Sequence, residues 1–329
     1  MRLASIAHNS ANSEELSRDG RLVVVSSDGA RGWILQDERC LTMRRALDNW
    51  AAVEETLRAV SRGEAMSEAK DLDLSRERFL APLPRATDFV DGSGYLSHIL
   101  RVRKARGAEP PAGLETDPLM YRGIPTFIPP SAEIPVCDFA DGPDCEAELA
   151  VITGDVPAGV SPSEALKHVR LITQINDVSL RERIKRELPK QFGFLQSKPP
   201  SSAGPLAITP DELGSAWNMG KPVLTMSIHR GQERLGELDT SELHFSFGAL
   251  IAHAASTHPL STGTVIGTGT VSNSDEGRGV ACVAEQVALD MTAGRPQTPY
   301  FRPEEPVSIE TFLNGRSVFG RILNRFVQG

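Results

Sequence analysis

Glu146 and Glu148 stand two residues apart in the stretch CEAELAVITG. Side chains two apart on a strand share a face, so these carboxylates would stand side by side. On a wet face that arrangement needs no ligand. The following LAVI points instead to a buried strand, where paired carboxylates call for a cation or a shared proton. Oxygen-only donors favour a hard ion, Mg²⁺ or Ca²⁺. Asp177, at the end of LITQIND, is placed to supply another oxygen from a neighbouring segment, although taken alone it is a turn residue. Asp91 lies in DFVDGSGYLSH, where the glycines after it would let the backbone wrap closely around an ion or simply make an Asp-Gly turn. His98 follows Asp91 by seven positions, two turns of a helix or a short loop's reach. Spacing alone does not join these four carboxylates.

Other chemistries find less support. His8, His168, His229, His244, His253 and His258 read as structural, and the last two are five apart, off the four-residue spacing of helical zinc sites. Cys40, Cys137, Cys145 and Cys282 have no close pairing, which favours buried free thiols over a zinc site or a disulfide framework. The glycines of TGTVIGTGT miss the phosphate-loop pattern, and no G-x-S-x-G nucleophile elbow is present. With 35 basic and 43 acidic residues the net charge is -8, so no global positive field exists to hold nucleic acid or an anionic membrane. The basic run Arg101 to Arg106 reads as the wet face of a helix. No apolar stretch approaches the roughly 18 residues of a membrane span. The start MRLASIAHNSANSEE lacks a secretory pattern, so a cytoplasmic protein is expected.

The elements that must position these groups are mostly strands. A chain of 329 residues, 40% apolar and 24% charged, suits one large domain with a smaller companion. Its 28 glycines and 23 prolines favour short strands and turns over long helices. Leu22 to Val25 and Trp33 to Leu35, each after a glycine turn, predict a small N-terminal sheet. Leu47, Trp50, Val53, Leu57 and Val60 recur at the helical period and predict one helix within 42–61, stopped at Gly63. A domain boundary falls near residue 80, before the proline-marked APLPRA. Beyond it, Ser161 to Glu164 has the capping-box pattern and opens a short helix ahead of the β-prone LITQIND. Phe247, Leu250, Ile251, Ala254 and Ala255 lie on one helical face ahead of Pro259. TGTVIGTGTV reads as turn plus strand. Val307, Ile309, Thr311 and Leu313 alternate before Asn314-Gly315, a strong hairpin signal.

The ordered set DFVDGSGYLSH, MYRG, EAELAVITG, NDVSLR, QSKP and GTGTVS resembles the fumarylacetoacetate hydrolase superfamily, from about residue 80 to the C-terminus. The upstream D-x₆-H narrows the likeness to its carbon–carbon hydrolases. The resemblance implies a mainly β (α+β) fold, with a small N-terminal β-rich domain over 1–80 and a mixed β-roll/sandwich catalytic domain over 81–329. By motif, it implies Asp91, Glu146, Glu148 and Asp177 as ligands of Mg²⁺ or Ca²⁺, with Mn²⁺ admissible. His98 becomes the general base and Glu285 its acidic partner. Lys198 and Arg181 become the cations that hold substrate and developing charge, with Tyr121 and Thr270 as polar substrate contacts. The implied reaction is hydrolysis of a 1,3-diketo acid, foremost fumarylacetoacetate to fumarate and acetoacetate in tyrosine and other aromatic catabolism. Alternatives are acylpyruvate or fumarylpyruvate hydrolysis, or an oxo-acid decarboxylase, hydratase or isomerase. The implied assembly is a homodimer, as in bacterial members with a compact N-terminal domain. One departure stands out: where founding members carry a substrate-contacting glutamine and tyrosine, this chain has Ile184 and Leu188.

Overall fold

The computed structural model describes residues 1–8, 13–64 and 69–329. The first strands are β1 (Arg2–Ile6), β2 (Arg21–Val25), β3 (Arg31–Leu35) and β4 (Ala69–Asp73). Then come β5 (Asp88–Gly92), β6 (Met120–Arg122), β7 (Glu133–Val136), β8 (Pro143–Asp144), β9 (Ala147–Thr153) and β10 (Val169–Asn176). The remainder are β11 (Ser179–Leu180), β12 (Ser202–Ala203), β13 (Leu206–Ile208), β14 (Thr225–Arg230), β15 (Glu233–Asp239), β16 (Thr264–Gly267), β17 (Pro306–Leu313) and β18 (Arg316–Gln328). Helices are α1 (Glu14–Asp19), α2 (Met43–Asp48), α3 (Trp50–Ser61), α4 (Leu96–Ala105), α5 (Pro162–Ala165), α6 (Arg181–Glu187), α7 (Phe247–Ala254) and α8 (Val283–Thr292).

An 11-stranded sheet runs β4-β3-β2-β1-β13-β10-β9-β16-β5-β6, with β12 beside β10. The N-terminal strands therefore extend the sheet of the larger domain. A second sheet of five strands runs β15-β14-β17-β18-β7. Pairing is antiparallel except where β5 lies beside β16 and β7 beside β18. At the β17–β18 hairpin, Asn314 and Gly315 both adopt positive φ, 51° and 75°, the twist a two-residue turn needs.

Strand β9 is buried along its whole length, so it packs on both faces. Leu149 and Val151 enter the core shared with Met226, Ile309 and Ile322 of the five-stranded sheet. Ala150 and Ile152 face the other way, into a core with Leu171, Ile175, Phe89, Val265 and the helical residues Trp50, Val53 and Leu57. The rows on this second face end in acid. Phe89 is followed two residues on by Asp91, Ile175 by Asp177, and the row Ile152, Ala150 continues to Glu148. Strand alternation thus turns three carboxyl groups to one face of the sheet.

Some local expectations are corrected. The helix expected over 42–61 is two, because Asn49 leaves helical geometry (φ -113°, ψ 21°) and spends its amide on the Arg45 carbonyl at 2.9 Å. Ser161 caps α5 through the Glu164 amide, but the Glu164 carboxylate turns to Lys167 at 2.8 Å and leaves the box half made. Cys40, Cys145 and Cys282 are buried free thiols, whereas Cys137 is exposed. Among the described residues, no helix is long and apolar enough to cross a membrane.

Candidate active site

Three adjacent strands set the carboxylate patch. β16 lies between β5 and β9, with Gly267 opposite both Asp91 and Ala150. A Cβ at Gly267 would fall 2.2 Å from Asp91 Oδ1 and 3.1 Å from Glu148 Oε2, so only glycine lets the two carboxylates meet across the middle strand. On the far side of β9, Ile175 of β10 pairs with Glu148, and the Asp177 amide donates to the Glu146 carbonyl at 2.9 Å. Oxygens of Asp91, Glu148 and Asp177 consequently lie within 4.8 Å of one another.

The patch is enclosed, and among the described residues no donor enters it at Glu148. Both oxygens of Glu148, a residue with no solvent exposure, lack a hydrogen-bond donor among the described residues. Burial and the Asp177 charge push the Asp91 carboxyl up to about 8. Glu148 rises well above the usual carboxylate range through enclosure and the charges of Asp91, Asp177 and Glu146. Crowded, desolvated oxygens with orphaned lone pairs fit a hard divalent cation.

Glu146, expected as a further ligand, stands outside this cluster because cations already hold it. Its Oε1 accepts from Arg181 Nη2 at 2.9 Å, and its Oε2 from Lys198 Nζ at 2.5 Å and Ser179 Oγ at 3.0 Å. Burial alone would raise its pKa, but Arg181 and Lys198 outweigh that and hold it below the usual range. Lys198 Nζ also donates to Asp177 Oδ2 at 2.5 Å, which places the ammonium between two carboxylates. Arg181 was expected to grip substrate. Its Nε is spent on Asp144 at 2.8 Å and its Nη2 on Glu146, so two of its donors orient protein carboxylates. The Tyr121 hydroxyl donates to Asp177 Oδ2, and Ser201 Oγ donates to Asp177 Oδ1 at 2.6 Å. Tyr121 is therefore a support for that carboxylate as well as part of the pocket wall.

His98 does not share a helix with Asp91. Asp91 is the penultimate residue of β5, and the short link after that strand leads into α4, on whose first turn His98 sits. Its Nδ1 meets Glu285 Oε2 at 2.9 Å. Glu285 Oε1 accepts from Arg101 Nη1 at 2.5 Å and from Ser272 Oγ at 2.7 Å. Burial opposes ionisation of Glu285, but these bonds and the neighbouring imidazole outweigh it and hold its pKa below the usual value. Glu285 is in the first turn of α8, whose start is pinned by Asp144: the Val283 and Ala284 amides donate to its oxygens at 2.8 and 2.9 Å. Cys282, next to that cap, has its sulfur within 4.8 Å of the His98 and Glu285 donor atoms.

His98, Asp91, Glu146, Lys198, Tyr121, Arg181 and Thr270 all line one cavity of about 430 Å³, while Glu148, Asp177 and Glu285 lie behind its wall. A family model described as "Fumarylacetoacetate (FAA) hydrolase C-terminal" matches residues 88–327, and one described as "Fumarylacetoacetase N-terminal domain 2" matches residues 1–85. The chain belongs to the fumarylacetoacetate hydrolase superfamily.

Among other members of the fumarylacetoacetate hydrolase superfamily, a 2,4-didehydro-3-deoxy-L-rhamnonate hydrolase of Sphingomonas sp. (strain SKA58) is 28% identical over 221 residues, 65% of this chain and 74% of that protein. An oxaloacetate tautomerase of Bacillus subtilis (strain 168) is 26% identical over 219 residues, 62% of this chain and 65% of that protein. The fold matches that of maleylpyruvate hydrolase from Sphingobium sp. SYK-6, solved with manganese(II) and pyruvate, at TM-score 0.63 and 17% identity over all of both chains. It matches a fumarylacetoacetate hydrolase of Exiguobacterium antarcticum at TM-score 0.65 and 18% identity, again over all of both chains. Superfamily membership thus spans hydrolase and tautomerase names, so the chemistry must be argued from the site.

Sequence reasoning missed Arg101, Asp144, Ser201, Gly267 and Ser272. Arg101 had a usable signal, since it lies three positions after His98 and shares its face of a helix. The others touch the site only through pairings more than a dozen residues away in the chain.

Proposed function

We propose that this protein is a divalent-metal-dependent hydrolase that cleaves a carbon–carbon bond of a 1,3-diketo acid. The observation that carries the reading is that His98, paired with Glu285, lines the same cavity as Asp91 of the carboxylate patch. Asp91, Glu148 and Asp177 would hold the ion, with Glu146 adjacent. Mg²⁺, Ca²⁺ or Mn²⁺ suits such oxygen donors. When bound, the ion supplies Lewis-acid stabilisation of the charge that develops on the diketone oxygens, an effect of several kcal/mol.

The chain's own groups do the rest. With Nδ1–H donated to Glu285, His98 keeps the lone pair of Nε2 for a water proton. As that proton moves to Nε2, the water oxygen adds to a carbonyl carbon. The adjacent C–C bond then breaks, its electron pair goes to the departing enolate, and His98 returns the proton to that carbon. General-base catalysis of this kind contributes about 10²–10⁴-fold. Lys198 is held charged, because Asp177 and Glu146 outweigh the cost of its burial. Its ammonium reaches the cavity and serves as a point charge for the tetrahedral oxyanion. Thr270, at the cavity wall, offers a hydroxyl to substrate. The acting assembly is proposed to be a homodimer.

A second reading, tautomerisation of an oxo-acid, draws on the tautomerase relative. A base at His98 could move an α-proton with no bond cleavage. Incubation of the purified protein and a divalent ion with fumarylacetoacetate, acylpyruvates and enol-oxaloacetate, with products identified, separates the two. Cleavage products support hydrolysis; ketonisation of the oxo-acid with every diketone intact would overturn it.

A further inference from the structure

The cavity has two unlike faces. One is ionic: Asp91, Glu146, Lys198, Arg181 and His98. The other wall is hydrocarbon. Ile99 and Val102 come from α4, and Ile184, Leu188 and Phe194 come from α6 and the turn after it. Both helices build their part of the wall by helical spacing. Val102 lies one turn beyond His98, and Leu188 one turn beyond Ile184, so each pair shares a face. Ile99 and Ile184 are 7% and 8% exposed.

The outer rim continues the apolar surface. Leu119 and Leu188, which line the cavity, keep 41% and 46% of their surface exposed. Phe192 and Leu195, flanking the wall residue Phe194, are 99% and 82% exposed. Large apolar side chains left open to water around a cavity mouth mark a surface that meets an apolar partner.

We infer that the substrate's acyl substituent is a hydrocarbon, an alkanoyl or aroyl group that lies against Ile184, Leu188 and Phe194. This rests on the diketo-acid reading above and names which diketo acids it covers. A short acyl group ending in a carboxylate, such as fumaryl, is served poorly. Its charge would sit three bonds from the reacting carbonyl, against the apolar wall, where an unpaired carboxylate is costly. Arginines do line the same cavity, but Arg181 already spends Nε on Asp144 and Nη2 on Glu146. Arg106 is exposed and lies eight residues beyond His98, about 12 Å along the helix axis. Arg103 commits Nη1 to the Glu109 carbonyl at 3.0 Å.

The test is a substrate ladder of acetyl-, butanoyl-, hexanoyl-, benzoyl- and fumaryl-pyruvate with the metal-loaded enzyme. Alongside it, the same compounds are titrated calorimetrically into His98→Ala, which binds without turnover. Each methylene buried on the wall raises kcat/KM, and tightens binding to His98→Ala, by about fourfold. Hexanoyl- and benzoyl-pyruvate therefore lead the series. Ile184→Gln lowers the hexanoyl-to-acetyl ratio about tenfold. Leu188→Gln, at a half-exposed position that tolerates a polar group, does so in the same direction. A flat series in both assays, or a lead for fumarylpyruvate, overturns the inference. A binding ladder in His98→Ala with no cleavage of any diketone by the wild type would uphold the apolar subsite and sink the hydrolase reading instead.

Discussion

Nδ1 of His98 lies 2.9 Å from Oε2 of Glu285, while the other oxygen of that buried carboxylate is locked by Arg101 at 2.5 Å. The imidazole is thereby fixed in one tautomer by a carboxylate that cannot turn away. Glu285→Gln removes the charge and the tautomer preference but little volume. It is expected to lower kcat by about 10²-fold or more with KM within about twofold. Steady-state kinetics on the diketo acid checks this, and a change confined to KM would contradict the dyad.

Lys198 stands beside the proposed ion site, where its ammonium neutralises both Glu146 and Asp177. Lys198→Met should therefore separate binding from chemistry. Divalent-ion affinity is expected to rise about tenfold or more as a nearby positive charge disappears. Cleavage is expected to fall by about 10²–10³-fold as the oxyanion loses its partner. Calorimetric titration and turnover on the same preparation read both.

Asp144 joins four groups: Arg181, the two leading amides of α8 and, through that helix, Glu285. It is fully buried. Asp144→Ala leaves a buried guanidinium half unpaired and a helix start uncapped, so unfolding stability should drop by roughly 3–5 kcal/mol. Denaturant unfolding measures it; a loss under about 1 kcal/mol, typical of an exposed ion pair, would show that the junction is not structural.

The raised Asp91 carboxyl has a pH signature. In the metal-free fold it keeps its proton up to about 8, whereas in the unfolded chain it ionises near the ordinary value of about 4. Between those values the folded state binds more protons, so stability falls as pH rises across the window. Saturating Mg²⁺ or Mn²⁺ requires the ionised carboxylates and should release protons on binding, with affinity climbing over the same range. Urea midpoints across that window, for wild type and Asp91→Asn in chelator, should diverge with increasing pH. Parallel curves would contradict the shift.

The sequence displays what alternation and turns control. Asn314-Gly315 announces its hairpin, LITQIND its strand and Phe247 to Ala254 its helix, because each pattern is local. The acid patch was legible as E-x-E and a strand-end Asp, since strand alternation carries those residues to one face. Its convergence was not, because that depends on β16 threading between β5 and β9 with a glycine at the crossing. Arg181 was read only as a substrate cation for a related reason. A sequence shows that an arginine is available but not that Asp144, thirty-seven residues away, already holds it. Arg101 was taken for a solvated face, and it is instead the clamp on Glu285.

The central claim is that Asp91, Glu148 and Asp177 form one divalent-cation site at the cavity that His98 lines. Anomalous diffraction from crystals soaked in Mn²⁺ tests it most directly. The account predicts one strong peak within about 2.0–2.6 Å of an oxygen from each of the three residues. Manganese found only at surface carboxylates, with the Glu148 oxygens bare, would contradict it.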